Sequence, residues 1–193
     1  AVESEHLNNN VISGQTELAA EPADTDEFLV SDSGTIKRID YSLIKNPITE
    51  VDKFGLSDAT YGDTDVMNGS WTRITTLNGL PHGTGLSVSS GVFTFPQTGL
   101  YKIDFQCYIY KTSTLTYSGV KIQGSSDGFS SNEQDLSLTY GSIPVNNMHQ
   151  NIYSSAIYEV TNTSNNKLRC KVSASADVAY YRTRLTFIRL ANA

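Results

Sequence analysis

Gly91-Val-Phe-Thr-Phe-Pro-Gln-Thr-Gly-Leu-Tyr-Lys-Ile-Asp-Phe-Gln-Cys-Tyr-Ile109 is the stretch that decides the fold. Tyr101, Ile103, Phe105, Cys107 and Ile109 share one parity, and Lys102, Asp104, Gln106 and Tyr108 share the other. That period of two predicts a strand half buried on a core. Phe93 and Phe95 alternate in the same way just before it, and Pro96-Gln-Thr-Gly99 supplies a turn. Pro stops the first strand and Gly permits the backbone reversal.

Working outward, short apolar-alternating segments recur at regular spacing after Trp71. Strands are predicted over residues 71–77, 86–95, 99–111, 117–123, 136–143, 153–160, 167–174 and 180–190. Asn78-Gly79, Asn146-Asn147 and the Asn-rich run 162–166 punctuate them. Evenly spaced strands with turn signals read as a sandwich or jelly roll. Nothing in the chain sustains a helical period. The 193 residues suffice for one sizeable core plus an appendage.

Gly91, Phe93-Thr94, Pro96, Gly99 and Tyr101, with the apolar positions after them, resemble the G-x-F-T-x-P-x-x-G-x-Y-x-F signature of C1q/TNF-like domains. Ile103 stands where that pattern has Phe and keeps the position apolar. The resemblance implies an all-β jelly-roll sandwich that packs as a tight homotrimer and binds rather than reacts. It also implies that the segment 180–190 is the terminal core strand.

Upstream, residues 1–14 are polar, Asn-rich and without period, as in an arm ordered against a partner. Residues 27–32 and 35–40 read as a small hairpin turning at Ser33-Gly34, with Asp40 poised to cap a helical turn through Tyr41-Ser-Leu-Ile44. A hairpin this small is marginal alone and must dock on something. The run 14–44, including Pro22-Ala-Asp-Thr-Asp-Glu and Lys37-Arg-Ile-Asp-Tyr-Ser, resembles a connector module of bacteriophage tail and fibre proteins, marine phages especially. The expected organisation is an arm and anchoring module over 1–46, a linker over 47–70, and a head over 71–193. Phe28, Leu29, Ile36 and Ile39 are the expected anchor residues. Ala1 fits both a processed start and a cut fragment.

The net charge is −6, with acidic residues concentrated up to Asp65 and no basic run to follow a phosphate backbone, so nucleic-acid binding is not expected. No apolar run is long enough to span a bilayer. The two cysteines, Cys107 and Cys170, sit on the apolar parity of their strands and read as buried thiols; a disulfide would need neighbouring strands.

The three histidines, His6, His82 and His149, lie in arm, turn and polar-loop contexts, and no serine has a nucleophile elbow around it. No Cys/His set has zinc spacing and no phosphate loop occurs. Asp58, Asp63 and Asp65 around Gly62 could offer oxygens to calcium, but their order lacks that of an EF-hand. No enzyme, metal site or cofactor is therefore expected.

Aromatic residues are the stronger lead. Tyr108 and Tyr110 point away from the parity that carries Phe105 and Ile109, and one of Tyr180 and Tyr181 must do the same. Such residues are either scattered surface aromatics or the seam of an assembly. The family resemblance favours the seam, placing Tyr108 and Tyr110 at a trimer interface. Polar loops over 125–132 and 146–150 are either a recognition surface or plain connectors. The combined expectation is a virion structural protein, a homotrimeric decoration or fibre protein attached to other capsid or tail proteins by its N-terminal region. The alternative is a receptor-binding tip that recognises a host surface glycan or protein.

Overall fold

The computed structural model describes residues 16–44, 48–75, 81–175 and 177–192. The chain divides into two compact units, Ala1–Asn46 and Pro47–Ala193. The polar arm expected over 1–14 lies outside the described residues.

In the first unit, β1 (Glu27–Asp32) and β2 (Thr35–Asp40) form an antiparallel hairpin, with Phe28 opposite Ile39 and Leu29 opposite Arg38. Ser33 and Gly34 make the turn with positive φ at both positions, the geometry whose twist matches the flanking strands. A 3₁₀ turn over Tyr41–Leu43 follows. Asp40 stands at its N-cap position, but its side chain makes no capping bond.

In the second unit the described strands are β3 (Val51–Leu56), β4 (Ala59–Tyr61), β5 (Trp71–Arg73), β6 (Ser87–Ser89), β7 (Val92–Thr94), β8 (Gly99–Lys111), β9 (Leu115–Ser125), β10 (Gln134–Ile143), β11 (Met148–Val160), β12 (Lys167–Ala174) and β13 (Val178–Ala191). They form two sheets. The large sheet has the order β11-β8-β13-β3-β5, with β4 also paired to β13; the small sheet has the order β10-β9-β12-β7-β6. Every strand pairing in both sheets is antiparallel.

The core lies between the sheets. The alternation read in the sequence holds through β8: Tyr101, Ile103, Phe105, Cys107 and Ile109 are fully buried. Phe93 is the hub of an aromatic cluster, with its ring 5.2 Å from Phe54, 5.3 Å from Trp71 and 5.1 Å from Phe187. The rings of Phe95 and Tyr101 meet at 4.7 Å, tilted by 56°, and the Pro96–Gly99 turn between them is a corner between sheets rather than a hairpin. It delivers β7 to the small sheet and β8 to the large one, with their apolar faces opposed.

The stretch 47–70, expected as a linker, is corrected. It carries β3 and β4, both paired to β13 in the large sheet. Asp52, Phe54 and Leu56 are the inward residues of β3, and the charged Asp52 on that parity is what masked the period. The carboxylate is satisfied where it lies. It accepts hydrogen bonds from Leu86 N at 2.8 Å and from Arg73 Nε at 3.0 Å. Glu50, equally buried, accepts from Thr84 N, Gly85 N and Gln97 Nε2. Buried charges persist where such partners offset their desolvation.

The segment 86–95, expected as one strand, is two. β6 and β7 pair with each other across Ser90 and Gly91, both at positive φ. Cys107 and Cys170 are buried free thiols in different sheets, and burial pushes both thiols well above the ordinary range.

Candidate functional site

The outward face of the large sheet carries the aromatic cluster. On β8, Tyr108 is 38% exposed and Tyr110 is half buried. On β13, Tyr180 points into the core, where its hydroxyl bonds with Ser118 Oγ at 2.8 Å and donates to Gly119 O at 3.1 Å. Tyr181 is therefore the outward member of the pair, and it stands directly opposite Tyr108 in register. From β11, His149 stacks on Tyr110 at 4.6 Å, and Tyr181 lies 6.2 Å from each of those two rings. Tyr110 donates its hydroxyl proton to Asn147 Oδ1 at 3.1 Å.

A bulge shapes this surface. β13 runs Tyr181 to Arg184 while β8 runs only Tyr108 to Gln106, so one extra residue is accommodated. Arg182 takes the strained backbone at φ +45°, and its amide donates to Asp58 Oδ1 at 2.9 Å. The extra residue lets Tyr181 and Arg182 both face outward before Thr183 returns to the core. Bulges re-aim side chains in this way. The result is a cleft of about 450 Å³ lined by Asp58, Tyr108, His149, Tyr181 and Arg182.

The structure thus brings Tyr108 and Tyr110 together on one surface, and adds His149, Tyr181 and Arg182 to them. His149 is corrected from loop to strand. It is the second residue of β11, which starts earlier than the expected 153–160 because the polar Gln150 at an inward position obscured the alternation there. The signal available was Ile152, Ala156 and Val160 at even spacing. The bulge had no signal beyond the adjacent tyrosines.

Further along the same face, Asp104 forms a polar cluster. It accepts from Tyr153 Oη at 2.6 Å and Ser155 Oγ at 2.8 Å, and it pairs with Lys102 at 2.9 Å.

The anchor residues divide between two faces of the hairpin. Phe28 and Ile39 are cross-strand partners on one side, where Phe28 meets the ring of Tyr41 at 6.2 Å. Leu29 and Ile36 share the other side and are 80% and 67% exposed. The unit buries none of its described large apolar side chains fully.

The remaining candidates separate. Asp58 caps the bulge, Asp63 accepts from Ala174 N and Asp65 accepts from Gly62 N, so each serves a different backbone donor. Among the described residues no three His, Cys, Asp or Glu side chains converge as metal ligands. His82 bridges Val51 through its backbone, far in sequence from His149; His6 lies outside the described residues. The loop over 125–132 is ordered by Asp127, which accepts from Ser125 Oγ, Ser131 Oγ and the amides of Ser130, Ser131 and Asn132. The hydroxyls of Ser131 and Ser125 hold its carboxyl down at about 2.

No protein-family model matches the sequence, and no curated protein sequence matches it. Solved structures do match. The crystal structure of murine APRIL aligns with a TM-score of 0.55 at 17% identity, over 73% of this chain and 98% of that one. The structure of Eiger TNF from S. frugiperda aligns with a TM-score of 0.61 at 13% identity, over 77% of this chain and 96% of that one. At these identities the likeness establishes the fold, and the chain is an all-β TNF-like jelly-roll sandwich preceded by a two-strand hairpin sheet.

Proposed function

We propose that this protein is a homotrimeric, non-catalytic structural component of a bacteriophage virion, attached by its N-terminal hairpin and projecting the jelly-roll head outward. One observation carries the assembly reading. Tyr110, His149 and Tyr181 form a three-ring cluster on the large sheet, and Tyr108 stands opposite Tyr181 in register, 38% exposed in the single chain. Aromatic residues with a polar tip are enriched where one subunit meets another, and a stable interface buries about 800 Å² per partner. The TNF-like fold supports the same reading, since domains of this fold typically trimerise. Attachment to capsid or tail proteins is supported by the phage-connector resemblance of 14–44 and by the exposed Leu29 and Ile36.

Light scattering on the purified chain tests the assembly. The wild type runs at trimer mass. Tyr108→Asp, which places a charge in the seam, runs at monomer mass with its far-ultraviolet circular dichroism unchanged. A wild-type monomer at tens of micromolar overturns the proposal.

A second reading is a head that recognises a host surface glycan or protein. The preordered loop around Asp127 favours it, because an ordered loop loses little entropy on binding.

A further inference from the structure

The outward face of the small sheet, on the opposite side of the sandwich from the aromatic seam, carries a second aromatic feature. Tyr140 on β10 is 52% exposed, and Tyr117 on β9 is 39% exposed. Their rings meet edge to face, with centroids 5.5 Å apart and planes at 88°. Tyr140 lies across the backbone of Gly119, its cross-strand partner. A methyl group there would fall 2.7 Å from the Tyr140 ring and 2.2 Å from Thr139 O. Its hydroxyl is tied to Ser173 Oγ at 3.3 Å on β12. The Tyr140 ring thus crosses β9 and is held at both ends, and the Tyr117 ring stands perpendicular to it.

One register step along the face, Lys121 pairs with Asp135 at 2.8 Å, on strands β9 and β10. The two rings are apolar, and the rim offers ammonium, carboxylate and hydroxyl groups within the same face. Leu138 adds the only other large apolar side chain exposed on β10. Two rings and one leucine fall well short of the roughly 800 Å² that a protein partner needs. They match a small rigid ligand with one apolar face and an equatorial ring of hydroxyls. A pyranose fits that description: its axial C–H groups stack on an aromatic face while its hydroxyls bond to charged and hydroxyl side chains around the edge.

We propose that the Tyr117–Tyr140 corner is a carbohydrate-binding site for a pyranose residue of a surface glycan. Tyr140 is the stacking platform, Tyr117 the wall, and Lys121, Asp135 and Ser173 the hydroxyl partners. Gly119 is the residue that lets the platform cross β9. The proposal names a ligand class for the reading in which the head recognises a host surface, and it rests on that reading. It does not depend on virion attachment.

The test screens the full-length chain on an array of bacterial and animal oligosaccharides. The glycan giving the strongest signal is then titrated against wild type, Tyr140→Ala, Tyr117→Ala and Tyr140→Phe, with saturation-transfer NMR on the corresponding methyl glycoside. The expected result is binding by wild type, a loss of at least tenfold in both alanine variants, and retention within a few-fold in Tyr140→Phe. Thermal melting and light scattering on each variant report fold and assembly separately. A failed sugar site therefore leaves the trimer result standing, and a failed trimer leaves the sugar result standing. Absence of any glycan signal from the wild type overturns the proposal, as does a signal that both alanine variants retain.

Discussion

Gly91 shows how a single position in the opening stretch carries the fold. Its φ is +77°, and a methyl group on it would sit 2.7 Å from Met67 O. Both the left-handed backbone and the close approach exclude a side chain. Asp127 makes a different residue-scale argument. Its folded pKa of about 2 lies below the ordinary 3.8, held there by the Ser131 and Ser125 hydroxyls. A depressed carboxyl contributes its stabilisation fully above its unfolded pKa and loses it as pH falls through the folded value. The loop over 125–132 is therefore expected to keep its order down to pH about 4 and to lose it progressively towards pH about 2. Amide exchange at Ser131 and Asn132 measures this. Protection that is flat across that window would show that the Asp127 bonds do not hold the loop.

At the scale of elements, β3 is the informative strand. Its buried Asp52 receives Arg73 from β5 and Leu86 N from the segment leading into β6, tying the edge of the large sheet to the small one. Removing one partner of a buried charge leaves the other uncompensated, at a cost of about 3–5 kcal/mol when both are fully buried. Arg73 is one-third exposed, which lowers the expectation to about 2 kcal/mol for Arg73→Leu, read as a shift in urea midpoint with unchanged slope. No shift would mean that the backbone donors alone satisfy Asp52. The sequence hid this strand because Asp52, a charge at an inward position, breaks the apolar alternation. It hid the first residues of β11, 148–152, in a similar way, because the polar Gln150 stands at an inward position, while 153–160 was legible despite the buried Ser154. By contrast β8 and β12 were legible end to end, since their inward positions are all apolar or Cys apart from Gly99.

On the scale of the whole molecule, the two units divide the work that the proposed function requires. The second unit holds the entire described core of fully buried side chains, and the first holds none. Deleting residues 1–46 is therefore expected to leave the head folded and trimeric while removing it from purified particles. Light scattering and immunodetection on those particles read the two outcomes. Particles that retain the truncated head would place attachment in the jelly roll instead. Leu29→Asp with Ile36→Asp, on the more exposed side of the hairpin, is the finer form of the same experiment.

The sequence by itself determined the sandwich, because a period of two, Gly at strained turns and Pro at strand ends act locally and leave a readable pattern. It also determined that Tyr108 and Tyr110 face away from the core, since parity within one strand is a local property. Only the tertiary structure decided which other residues join them. The inward course of Tyr180, the bulge at Arg182 and the placing of His149 on β11 depend on register between strands distant in sequence. The Tyr117–Tyr140 corner depends on the same thing, because it exists only where β9 lays Gly119 beneath a ring from β10.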